Sequence, residues 1–250
     1  RHDRRLQDDR FEPWVTVTLP RTVAAGERFI LELAYEGKLI KRLPGTNDFL
    51  LKDTLYWRPR HPDTRTNRLD LTFRVPERYR VASAGTLTEE RVEDDTRIMR
   101  WVTSDPVRSM AFHMGELDVT EVERDALPAM TIYSNDNHVG LAPRNREKTV
   151  DDLSDSIRLY TEYFGPFPFE SLHVSETVTQ SGQAFAGLLL LSYQTFGSMD
   201  TGEAQLFRAH EVAHQWWGSA VGWESYRDQW MSEGFAQYAA ALYTLHGLDD

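Results

Sequence analysis

The chain has 250 residues, 40% hydrophobic and 27% charged, a globular balance with enough length for one large or two ordinary cores. Its formal charge of -11 disfavours a nucleic-acid partner, because such partners are held by Lys and Arg neutralising phosphates. It contains no cysteine, so there is no disulfide framework, and any metal must rest on His, Asp or Glu.

The opening "RHDRRLQDDR" has no apolar region behind it and does not read as a signal peptide. From Phe11 to about Ala129, short alternating runs such as "WVTVTLP", "RFILELAYEG" and "RLDLTFRVP" are broken by Gly and Pro, the pattern of antiparallel strands. "WRPRHPDTRTN", Trp57 to Asn67, reads as a loop. The period lengthens after the polar stretch Asn135 to Asn145, and a domain junction is expected there, dividing the chain into 1–138 and 139–250.

Val150, Leu153, Ile157, Tyr160 and Phe164 then mark one apolar stripe of a helix that Gly165 and Pro166 end. "SLHVSETVTQSGQAFAGLLLLSYQTF" reads as strand, loop, strand, with Leu188 to Leu191 as a buried strand. The longest apolar run, Ala184 to Leu191, is far short of the roughly 20 residues that span a bilayer, so no membrane segment is expected within this chain. Asp200 is a candidate N-cap for a helix running through "EAQLFRAHEVAHQWW" to Gly218, and "MSEGFAQYAAALYTLHG" reads as a second helix.

On the first of these helices, His210 and His214 stand four apart and share a face, so both can bind one ion. Glu211 projects beside that face, where it can reach a water as general base. A catalytic zinc site wants three protein ligands and one open position. Glu233, nineteen positions after His214 on the next helix, can complete the set if the helices pack antiparallel. Asp228 is a candidate to orient a ligand imidazole. A bare HExxH also occurs on ordinary helices, and the histidines at 61, 113, 138, 173 and 246 read as structural or solvated.

"HEVAHQWWG" followed by "SEGFAQY" resembles the aminopeptidase-N-like gluzincin zinc metallopeptidases, relatives of membrane alanyl aminopeptidase, with Ser232 where Asn is usual. "RVASAGTL", "SMAFHMGELDV" and "YTEYFGPFPFESLHV" extend the resemblance over most of the chain. It implies an α+β fold: an N-terminal antiparallel saddle-like β domain, then a truncated thermolysin-like zinc-binding α+β domain, with peptide bound between them. It also implies one zinc ion on His210, His214 and Glu233.

The resemblance breaks at the G-x-M-E-N motif, whose Glu holds the substrate's free α-amine. The matching stretch "SGQAFAGL" places Gly182, Gln183 and Ala184 along the expected substrate strand, with Ala184 at the position of that Glu. The strand can still pair with a peptide through its backbone. The family's oxyanion-stabilising tyrosine lies beyond Asp250, and the chain reads as an internal fragment of a parent with room for further domains. Two functions follow: a zinc-dependent peptidase, exo- or endo-acting, or a non-catalytic peptide-binding or assembly module. Compartment and side-chain preference are not readable.

Overall fold

The computed structural model describes residues 4–7, 10–13, 16–38, 40, 42–52, 57–58, 66–135, 146–196 and 202–246. Strands β1 (Arg4–Gln7) and β2 (Arg10–Pro13) form a two-stranded sheet. Strands β3 (Phe49–Lys52), β4 (Asp70–Pro76), β5 (Arg80–Ser83), β6 (Thr86–Glu93), β7 (Thr96–Val102) and β8 (Ala111–Gly115) build two antiparallel three-stranded sheets, ordered β3-β8-β5 and β4-β7-β6. The β6–β7 hairpin turns on Asp94 and Asp95, both at positive φ (46° and 60°), as a turn matched to right-handed strand twist requires.

A five-stranded sheet carries the rest. It is formed by β9 (Asp118–Val122), β10 (Ala129–Ser134), β11 (Ser171–Thr177), β12 (Gln183–Phe185) and β13 (Leu188–Ser192), ordered β12-β13-β11-β10-β9. β10, β11 and β13 run parallel, and helix α1 (Arg146–Phe164) supplies the crossover that the parallel pair β10–β11 needs. β9 and β12 close the two edges antiparallel. β9 and β10 therefore enter this sheet from the N-terminal side of the junction expected near residue 138.

Both faces of the sheet are covered, which is why β13 reads as an unbroken leucine run rather than an alternation. One face, with Ile132, Val174, Leu189 and Leu191, packs under α1 and two further helices, α2 (Glu203–Ala213) and α3 (Gln229–His246). The other, with Tyr133, Phe185, Leu188 and Leu190, packs on Val81, Met99, Trp101 and Phe112 of the β-rich half. The expected α1 stripe is present, with Val150, Leu153, Ile157 and Tyr160 buried and Phe164 partly so.

Two expectations change. "RFILELAYEG" and the described part of "WVTVTLP" form no strand: residues 16–38 lie largely exposed, Ile30 at 89%. Alternation specifies a strand only where a neighbour supplies the ladder, and none lies beside them among the described residues. The helix expected to reach Gly218 ends at Ala213 with His214 as its C-cap. Gly218, at φ +118°, reverses the chain, so that the N–H groups of Ser219, Ala220 and Val221 return to the carbonyls of His214, Gln215 and Trp216.

Asp200, Gly247, His61, His138 and most of the expected loop and junction lie outside the described residues. Among the described residues, no helix is long and apolar enough to cross a membrane.

Candidate metal centre

Three small side chains of α3, Ala236, Ala239 and Ala240, are fully buried, as are Ala209 and Ala213 of α2. Small residues let two helices approach closely. A buried polar network fixes how they lie. Asp152 of α1 forms an ion pair with Arg208 of α2 and accepts a hydrogen bond from the Tyr243 hydroxyl of α3 at 3.3 Å. Arg208 also donates to the carbonyl of Thr195, and Tyr160 of α1 donates to the carbonyl of Ala209 at 3.1 Å.

This packing brings His210, His214 and Glu233 together, the one such group of potential ligands among the described residues. His210 Nε2 lies 3.0 Å from His214 Nε2, and Glu233 Oε2 lies 3.5 Å from the former and 3.3 Å from the latter. Donors held about 2.0–2.1 Å from a tetrahedral zinc stand about 3.3 Å apart, so the triangle has the size zinc requires. His214 Nδ1 is 2.8 Å from the carbonyl oxygen of Trp217. It donates there, which leaves the Nε2 lone pair free to bind a cation. Burial, reinforced by the neighbouring His214 imidazole, holds His210 below the ordinary histidine range, so its neutral, ligating form is favoured. Glu233 is 55% exposed, leaving the triangle open on its outer side.

Glu211 is 6% exposed, and its carboxyl is pushed up to about 8, by burial first and the charge of Glu233 second. A cation in the triangle acts in the opposite direction, favouring the carboxylate. The Glu211 carboxylate lies against Gly182: a Cβ there would sit 2.6 Å from its Oε1 and would also strike the ring of Phe207. Gly182 is thus the residue type that lets the segment leading into β12 approach the carboxylate. Gln183 and Ala184 follow on β12, an edge strand of the sheet. The Gln183 side-chain oxygen is buried and unpaired, and Ala184 packs partly into the helix-side core.

Asp228 does not orient an imidazole. Its carboxylate accepts from the backbone N–H and hydroxyl of Ser225 at 3.0 and 2.8 Å, closing the short 3-10 turn Tyr226–Asp228 before α3. The Trp217 carbonyl takes the orienting part, a backbone group that side-chain reading does not find. Gln215 was also missed. Its amide accepts from Gly187 N–H at 2.9 Å and donates to the Phe185 carbonyl at 3.1 Å. The polar residue directly after the second histidine was the available signal.

Of the other described histidines, His113 is buried with Nδ1 2.8 Å from Ser175 Oγ, and His173 is buried with Nε2 3.1 Å from Ser171 Oγ. His246 sits at the end of α3 beside the ring of Tyr163. Trp216 is core against Tyr160 and Phe167, whereas Trp217 is half-buried and stacks on Phe235 at 4.8 Å.

Residues 184–247, which hold all three candidate ligands, match the Peptidase family M1 domain. The chain is 30% identical over 98 residues to tricorn protease-interacting factor F2 of Thermoplasma volcanium, covering 36% of this chain and 12% of that protein. It is 24% identical over 189 residues to aminopeptidase M1-D of Oryza sativa subsp. japonica, covering 70% of this chain and 21% of that protein. The chain thus spans only about an eighth to a fifth of these relatives. In fold it is similar to an M1 zinc metallopeptidase from Deinococcus radiodurans, with a TM-score of 0.61 and 22% identity over 74% of this chain and 42% of that one. The domain match over the ligand helices and the sequence shared with these relatives make residues 184–247 similar to the Peptidase family M1 domain, in a chain whose fold is similar to an M1 zinc metallopeptidase.

Proposed function

We propose that this chain contributes the metal-binding part of a zinc-dependent metallopeptidase, and that its two parts are a saddle-like β domain over 1–138 and the first part of a thermolysin-like domain over 139–250. The observation that carries the reading is the triangle of His210, His214 and Glu233, whose donors stand 3.0–3.5 Å apart with one side open. Its size fits zinc, and three protein ligands with an open position are the catalytic rather than the closed structural pattern. Zinc, when bound, polarises a substrate carbonyl and acidifies a water.

The chain's own residues do the rest. Glu211, set between the ligand helix and the Gly182 segment, takes the proton of the attacking water and returns it to the leaving amine. The outer edge of β12, which has no strand partner among the described residues, receives the peptide as an added strand, and Gly182, Gln183 and Ala184 border it. Ala184 offers no carboxylate to a substrate ammonium, so backbone pairing rather than amine capture carries the binding.

The test is zinc per chain by elemental analysis after dialysis, followed by hydrolysis of matched free and N-blocked peptides. One zinc per chain with cleavage of either peptide supports the reading. No zinc at all sinks it. Equal cleavage of the two peptides identifies endo-action, and preference for the free amine would require another acid near Ala184.

A further inference from the structure

Glu211 in the last turn of α2 and Gln215 just past its C-cap stand four residues apart, and each meets a different end of β12. At the entry end, Gly182 lies against the Glu211 carboxylate with no room for a Cβ. At the exit end, Phe185 pairs with Leu188 across the two-residue turn Ala186–Gly187, and one side chain takes a backbone group of Gly187 in the turn and one of Phe185 beside it. The Gln215 carboxamide accepts from Gly187 N–H at 2.9 Å and donates to the Phe185 carbonyl at 3.1 Å, with Gln215 0% exposed. A carboxamide can make this double contact because it offers a donor and an acceptor side by side, as a peptide group does.

The turn is otherwise tightly specified. Gly187 has φ +69°, and its carbonyl accepts from His173 N–H at 2.8 Å. The residue that grips it follows His214 directly in the chain, so the strand edge and a metal ligand hang from adjacent residues. We propose that Gln215 is a positioning residue, which fixes the peptide-receiving strand β12 at a set distance from the metal ligands. The peptide in this statement rests on the function proposed above; the clamp between strand and helix rests on the geometry alone.

Two substitutions test it. Gln215→Met keeps the length and removes both contacts. Gln215→Glu keeps the acceptor for Gly187 N–H and loses the donor to the Phe185 carbonyl. Both are made in the protein and compared with it for zinc per chain, hydrogen exchange by segment, and KM and kcat on one peptide. The expected result is unchanged zinc, exchange over residues 182–188 faster by about tenfold or more with α1 unchanged, and KM raised about tenfold with a smaller change in kcat, the loss expected when a buried backbone pair is left without partners.

Parent-like exchange over 182–188 and parent-like KM in both variants would overturn the proposal. So would exchange that accelerates equally in α1 and β11, since that marks a general loss of structure. If Gln215→Met fails to fold, Gln215→Glu decides. If the unsubstituted protein binds zinc but cleaves no peptide, the function proposed above falls, and the exchange pattern alone decides the clamp.

Discussion

His214 donates from Nδ1 to the carbonyl of Trp217 at 2.8 Å, and the residue after that carbonyl is Gly218 at φ +118°. The orientation of one candidate metal ligand therefore depends on a backbone turn that an L side chain adopts only with strain. Gly218→Ala has space for its methyl group, whose nearest neighbours would be His214 Nδ1 and Ser232 Cβ, both at 3.6 Å, so the effect is conformational rather than steric. The expected outcome is zinc affinity lower by about ten- to hundredfold, the usual consequence of disturbing a ligand's orienting group. Competition with a chelator of known affinity measures it.

Glu211 is not one of the three grouped ligands, so Glu211→Gln should leave zinc binding intact and lower turnover by about a hundredfold or more. Zinc analysis and peptide hydrolysis on the same preparation check both halves. A variant that still hydrolyses at the parent rate removes Glu211 from the role of general base.

The Arg208–Asp152 ion pair ties α2 to α1, with both side chains at 5% exposure or less. Asp152→Ala removes the Asp152 carboxylate from a buried guanidinium, and the expected destabilisation is about 3–5 kcal/mol, read from urea unfolding. Arg208→Met with Asp152→Leu removes both charges and should recover most of that loss. Recovery in the double variant separates the cost of breaking the pair on one side from any net worth of the pair.

His173 is buried beside Trp101, ring centroids 4.7 Å apart, and burial pushes its imidazole down to about 4. Its folded value lies below the unfolded value of about 6.5, so the unfolded chain binds more protons between these limits. The stabilisation is complete above about pH 6.5 and is lost as pH falls towards 4, by at most about 3 kcal/mol. His173→Phe should flatten this part of the stability curve. Denaturant midpoints at several pH values on both proteins show whether it does.

The grouping of the candidate ligands was legible because helical period alone sets His210 and His214 on one face, and a compact helix pair can carry Glu233 to them. The switch from strand alternation to helical period was also readable, as was the buried leucine strand from its unbroken apolar run, while the α+β class followed from the family resemblance. The failures share a cause. Asp228 has the chemistry to orient an imidazole, but the Ser225 N–H and hydroxyl lie closer, and only coordinates reveal which local partner wins. The Trp217 carbonyl belongs to the backbone, which no residue type announces. The run from Arg28 to Gly37 shows that alternation is a statement about a neighbour as much as about a segment.

The five-stranded sheet has consequences for how the protein comes apart. Leu189 and Leu191 of β13 lie in the helix-side core, while Leu188 and Leu190 of the same strand lie in the β-side core. Neither core can open without stripping one face of a strand that the other still needs. The two halves are thus coupled in a single cooperative unit, and calorimetry should find one melting transition whose van't Hoff and calorimetric enthalpies agree.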